Sequence, residues 1–110
     1  MITWPAILKF EGDNELTFVS GQTEWNADTE LHLFNYELDD RLIDSAGAVY
    51  SLPNENNMVT PRATGEYLSQ QQVAELVMAH MSAMGACCVS KLSALPIKQA
   101  VELVGISNEQ

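Results

Sequence analysis

The chain has 110 residues, of which 46% are hydrophobic and 18% charged, and a formal net charge of -10. These totals describe one globular domain over residues 1–110 with one core, large enough to fold without disulfides or a structural metal. The acidity excludes nucleic acid as a direct partner, because carboxylates repel the phosphate backbone, and no stretch reaches the ~20 apolar residues of a membrane span.

Near the N-terminus, Ile2, Trp4, Ala6, Leu8 and Phe10 alternate with Thr3, Pro5, Ile7 and Lys9. The period of two predicts a strand with one buried face, and Pro5, which lacks a ladder donor, places that strand near an edge or opposite a bulge. "EGDN" supplies turn residues and "ELTFVS" resumes the alternation through Leu16 and Phe18, so the two segments read as a hairpin. "SGQTEWNADTELHLF" predicts one or two short helices capped by Ser20 or Thr23 and by Asp28, with Trp25 covering the sheet. "RLIDSAGAVYSL" reads as two strands, Arg41 to Asp44 and Ala48 to Leu52, around a tight Ser-Ala-Gly turn. "PNENNMVTPRATG" reads as a loop with a brief strand at Met58 to Thr60.

Ser69 followed by Gln72 is a capping-box pattern and opens a helix. Val73, Leu76, Val77, His80, Met84 and Cys87 or Cys88 follow helical spacing, with Gly85 as terminator or close-packing site. Alanine and methionine on the other faces make this helix apolar nearly all round and predict that it is the most buried. Pro96 suits the first turn of a shorter final helix, which carries Ile97, Ala100, Val101 and Val104 on one stripe and ends at Gly105. The fold class is therefore α+β: an antiparallel sheet of about four strands packed against a long buried helix and a shorter C-terminal helix.

Three segments, "WPAILKFEGDNEL", "DRLIDSAGAVYSL" and "VMAHMSAMGACCVSKL", together resemble a family of small acidic bacterial proteins classed only as a domain of unknown function. The resemblance spans nearly the whole chain and implies an α+β fold. It implies no activity, ligand or functional residue.

The residues that could carry chemistry are few. His80, Cys87, Cys88 and Lys91 form one candidate reactive cluster, since an ammonium three or four residues from a thiol favours the thiolate and His80 could act as a base. Packing explains them better: buried cysteine behaves as a small hydrophobe, and His80 is expected to be a hydrogen-bonded residue of the helix face. A structural zinc site wants four ligands in paired spacings, which two histidines and two adjacent cysteines do not provide, so no metal and no cofactor are expected. Met78, Met81 and Met84, three residues apart, are expected in the core, as is Trp25.

Charge is the remaining global feature. Residues 1 to 60 hold eleven acids against Lys9 and Arg41, a net -9, and the second half is at -1. Glu37, Asp39 and Asp40 form a candidate interaction patch for a basic protein. The sequence thus points to a non-catalytic interaction or regulatory protein whose acidic N-terminal half docks a basic partner. A thiol- or metal-dependent activity centred on His80, Cys88 and Lys91 is the alternative, and mimicry of nucleic acid a third. The opening "MITWPAILKF" has no basic region ahead of an unbroken apolar run, so it predicts no export signal and a cytoplasmic protein.

Overall fold

The computed structural model describes residues 2–33, 35–85 and 94–108. Its centre is a five-stranded antiparallel sheet. In chain order the strands are β1 (Ala6–Lys9), β2 (Leu16–Val19), β3 (Arg41–Asp44), β4 (Ala48–Ser51) and, after the two-stranded hairpin β5 (Asn54–Glu55) and β6 (Met58–Val59), β7 (Arg62–Tyr67). Their order in the sheet is β2-β1-β3-β4-β7. Helices α1 (Gln22–Ala27) and α2 (Thr29–Leu33) lie in the β2–β3 connection, and α3 (Gln70–Ala83) and α4 (Ile97–Asn108) follow the sheet. The α+β class is as expected, with β7 as a fifth strand beyond the expected four and α4 only slightly shorter than α3.

The single core expected from length is two cores, one on each face of the sheet. Ile7, Ile43 and Val49 pack with Val73 and Val77 of α3 and Ala100, Val101 and Val104 of α4. Ala6, Leu8, Leu42 and Tyr50 pack on the opposite face with Trp25 of α1 and Val59 of β6. In consequence Ala6, Ile7 and Leu8 are each fully buried, and β1 has two buried faces rather than one. β1 lies one strand in from the sheet edge, near it as Pro5 suggested, and pairs with both β2 and β3. Pro5 precedes its first residue, in a cis peptide bond with Trp4, and so takes no place in the ladder.

Local signals act where they were read. The Ser69 hydroxyl accepts from Gln72 N–H at 3.1 Å while the Gln72 side chain accepts from Ser69 N–H at 2.8 Å, which closes the capping box of α3. Asp28 Oδ1 accepts from Glu30 N–H at 3.0 Å and so caps α2, whereas α1 starts at Gly21 without a side-chain cap. Beyond α3, Gly85 stands at φ +80°, a left-handed conformation that stops the helix.

Three expectations are corrected. The loop "PNENNMVTPRATG" has the brief strand expected near Met58 as β6, but it also contains β5 and the start of β7, whose six residues are all exposed and therefore show no buried alternation. α3 is buried on one stripe only, Val73, Ala74, Val77 and His80, while Met78 and Met84 reach solvent and Met81 is half-buried. Gly105 does not end α4: the helix continues to Asn108, and a Cβ at Gly105 would meet the Phe18 ring of β2 at 2.9 Å, so this glycine is where α4 and β2 touch.

That contact lets two helix side chains close the outer edge of β2. His80 Nδ1 accepts the Leu16 N–H at 2.9 Å, Asn108 Oδ1 accepts the Phe18 N–H at 2.9 Å, and Asn108 Nδ2 donates to the Leu16 carbonyl at 3.4 Å. Backbone groups that an edge strand would otherwise offer to another chain are taken up inside the molecule.

Candidate docking site at the acidic end of the sheet

β1 and β3 run side by side with Lys9 opposite Arg41, so the turn that leaves β1 lies next to the turn that enters β3. Asp40 joins them. It is only 2% exposed, and its two carboxylate oxygens each accept a backbone N–H at 2.7 Å, Oδ1 from Glu11 and Oδ2 from Glu37. A buried carboxylate is tolerated when charge-assisted hydrogen bonds replace its water, which these two donors do. Phe10 and Tyr36 stack across the same junction with ring centroids 6.1 Å apart. The Tyr36 hydroxyl donates to the Leu31 carbonyl at 2.8 Å. Burial, then the charges of Asp28 and Asp40, push its pKa up to about 12, so it stays a donor.

The effect is to gather exposed carboxylates at one end of the sheet: Glu11, Asp13 and Glu15 from the first turn, Glu37 and Asp39 from the second. The two cations between the turns are engaged locally. Lys9 Nζ donates to the Phe10 carbonyl at 2.9 Å and to that of Asp13 at 2.5 Å. Arg41 donates to the Leu38 and Asp40 carbonyls and lies 3.8 Å from an Asp39 carboxylate oxygen. Between Glu37 and Asp39, Leu38 is 89% exposed, an apolar side chain held out at the tip of an acidic turn.

Of the three candidate interaction residues, then, Glu37 and Asp39 are at the surface, and Asp40 is the buried tie beneath them. Glu11, Asp13, Glu15 and Leu38 join this end through the β1–β3 pairing. Within the sequence those two turns are separated by both short helices, and only the strand order brings them together.

The other candidate cluster is reached in part. Cys87, Cys88 and Lys91 lie outside the described residues. His80 is fully buried on α3, and both ring nitrogens are occupied. Because Nδ1 accepts from Leu16 N–H, the ring's proton sits on Nε2 and is donated to Ser107 Oγ at 2.7 Å; that hydroxyl in turn donates to the Val104 carbonyl at 2.8 Å. Burial lowers the His80 pKa, with Glu15 opposing that effect in part. A neutral imidazole with both nitrogens committed is a structural tie between β2, α3 and α4.

His32 does the same on the other face. Its Nδ1 accepts Val59 N–H at 3.1 Å and its Nε2 donates to the Trp25 carbonyl at 2.9 Å, while the Trp25 indole N–H donates to the Val59 carbonyl at 3.1 Å. Asp44, at the far end of β3, is likewise consumed: its carboxylate accepts the N–H groups of Thr3, Ala46 and Ala48, each at 2.9 Å, and the Tyr50 hydroxyl at 3.3 Å. Burial, and then Asp44, raise the Tyr50 pKa. Among the described residues no group of three or more His, Cys, Asp or Glu side chains is placed to hold a metal ion, and no helix is long and apolar enough to cross a membrane.

Comparison with known proteins gives the fold a lineage. An NMR structure of a protein from Shewanella amazonensis superposes with a TM-score of 0.71 at 25% sequence identity, over 96% of this chain and 90% of that one. No curated protein matches the chain. The DUF4144 family, described as a protein structure with unknown function, matches residues 4–104. That match covers the buried residues of both cores, the acidic end and His80 itself, and the chain belongs to the DUF4144 family.

Proposed function

We propose that this is a non-catalytic interaction protein whose acidic end docks a basic protein partner. One observation carries the reading: five exposed carboxylates are fixed on two turns that buried Asp40 ties together, while Lys9 and Arg41 are spent on carbonyls of those same turns. A preorganised field of one sign speeds the encounter with an oppositely charged surface and sets its register. Leu38 supplies what charge alone lacks, an apolar anchor that can be desolvated at the centre of a charged rim. The same reading places the protein in the cytoplasm, where adjacent thiols such as Cys87 and Cys88 stay reduced.

The test is affinity capture from cell extract with the parent protein and with a variant carrying Glu11→Gln, Glu37→Gln and Asp39→Asn. None of these side chains is among the groups that hold the two turns together. The expected result is a basic protein retained by the parent, released as salt is raised, and lost by the variant. Retention that is indifferent to both salt and the substitutions would remove the electrostatic contact.

A further inference from the structure

A groove of about 470 Å³ opens beside the first acidic turn, between the start of β2 and the C-terminal ends of α3 and α4. Leu16 and Met84 give it an apolar lining, Asp13 and Glu15 add exposed carboxylates, and Asn108 marks the end of α4. The ends of two helices line this region, Met84 just past α3 and Asn108 at the end of α4, and a helix C-terminus carries roughly half a negative charge. Among the described residues, the last turn of α4 carries no basic side chain, and the one in α3, His80, is held neutral by its bond from Leu16 N–H. The nearby ammonium of Lys9 is bound to the Phe10 and Asp13 carbonyls and offsets one charge of several.

We propose that this groove takes a lysine or arginine side chain presented by a basic protein segment. The assignment rests on the docking reading above and names the recognition element within it. Long cationic side chains combine an apolar stem with a charged head, and the groove offers both complements: the Met84 thioether, 44% exposed, for the stem, and Glu15, Asp13 and the helix ends for the head. Charge complementarity selects against an acidic or neutral occupant. Among the described residues no three-ligand arrangement suits a bare metal ion, and that favours a diffuse cation carried on an apolar stem.

The experiment is an amide NMR titration of the full chain with a ten-residue peptide alternating lysine and glycine, with a norleucine–glycine peptide as control. The lysine peptide is expected to produce saturable shifts at Leu16, Thr17, Met84 and Asn108, and the control none. Glu15→Gln, whose backbone bond to Asp13 is untouched, is expected to weaken binding about 2- to 5-fold, as is usual for one exposed ion pair. Met84→Ala should weaken it as well, without changing its salt dependence. Saturable shifts confined to Glu11, Glu37 and Asp39 would overturn the groove assignment and leave the acidic end standing. Equal shifts with the norleucine peptide would overturn the cationic occupant, and no saturable shift anywhere would overturn both readings.

Discussion

The two edges of the sheet are protected in different ways. β2 is sealed from within the molecule: His80 and Asn108, 64 and 92 residues from their partner Leu16, take up its outward-facing backbone groups. Among the described residues β7 has no such cover, and all six of its own residues are exposed. Its protection is its shape. The ladder to β4 shifts register between Ala48 and Tyr50, Gly65 stands at φ +86°, and the Thr64 hydroxyl donates to the Val49 carbonyl at 2.8 Å. A kinked, twisted edge is a poor template for another strand. One edge is thus closed by long-range side chains whose loss is felt throughout the fold, the other by local geometry whose loss stays local.

The largest expected effect breaks the first kind of closure. His80→Ala strands the Leu16 N–H in a buried place, takes from the Ser107 oxygen the N–H it accepts, and leaves a cavity, at a cost of about 3 kcal/mol. Urea unfolding measures it; a midpoint equal to the parent's would mean that the β2 edge does not depend on this residue.

Acid reaches the same bond without mutation. Burial holds the folded His80 pKa below its usual 6.5. Between those values the unfolded chain binds the proton and the folded chain resists it, so stability is fully present above about pH 6.5 and declines as pH falls towards the folded pKa. Melting temperature followed from about pH 7.5 to about pH 5 should fall, and the slope should flatten in His80→Gln. Equal slopes in the two proteins would assign the acid sensitivity elsewhere.

Gly105→Ala tests the contact that brings α4 to β2. Alanine favours a helix, yet its Cβ meets the Phe18 ring, and the expected balance is a loss of about 2 kcal/mol together with faster exchange of the Phe18 amide. Gain of stability instead would show that Phe18 moves aside freely. The smallest effect is on the other edge. Gly65→Ala meets nothing within 4 Å, so only its left-handed backbone is strained, by about 1 kcal/mol. Hydrogen exchange should quicken in β7 alone; loss of protection in β2 would erase the distinction between the two edges.

What the sequence made legible was what neighbouring residues decide. The capping box at Ser69 and the two hairpins follow from contacts within a few positions, and all three stand as read. The rest depended on partners far along the chain. β7 has no buried face to leave an alternation, Ile7 is buried by helices that start more than sixty residues later, and Gly105 resembles a stop until Phe18 is placed against it. Asp40 and Asp44 look like surface acids because, beside donors within four residues, each takes one backbone N–H from far along the chain that its local sequence does not announce, Glu11 for Asp40 and Thr3 for Asp44. At the candidate site Glu37 and Asp39 were legible as exposed charge. Glu11, Asp13 and Glu15 belong with them only because β3 lies beside β1.

Burial of Ala6, Ile7 and Leu8 on alternate faces carries a further consequence for how β1 finds its place. In a one-sided sheet, sliding a strand by one residue turns its apolar side to water, and that penalty locks the alignment. Here a slip would exchange one greasy side chain for another, and hydrophobicity is nearly blind to it. Alignment must come from the ends, where Asp44 holds Thr3 ahead of the strand and Asp40 holds Glu11 beyond it. Two buried carboxylates act as pins at either end of a four-residue strand, and replacing both by asparagine would loosen the choice of register before it unfolded the protein.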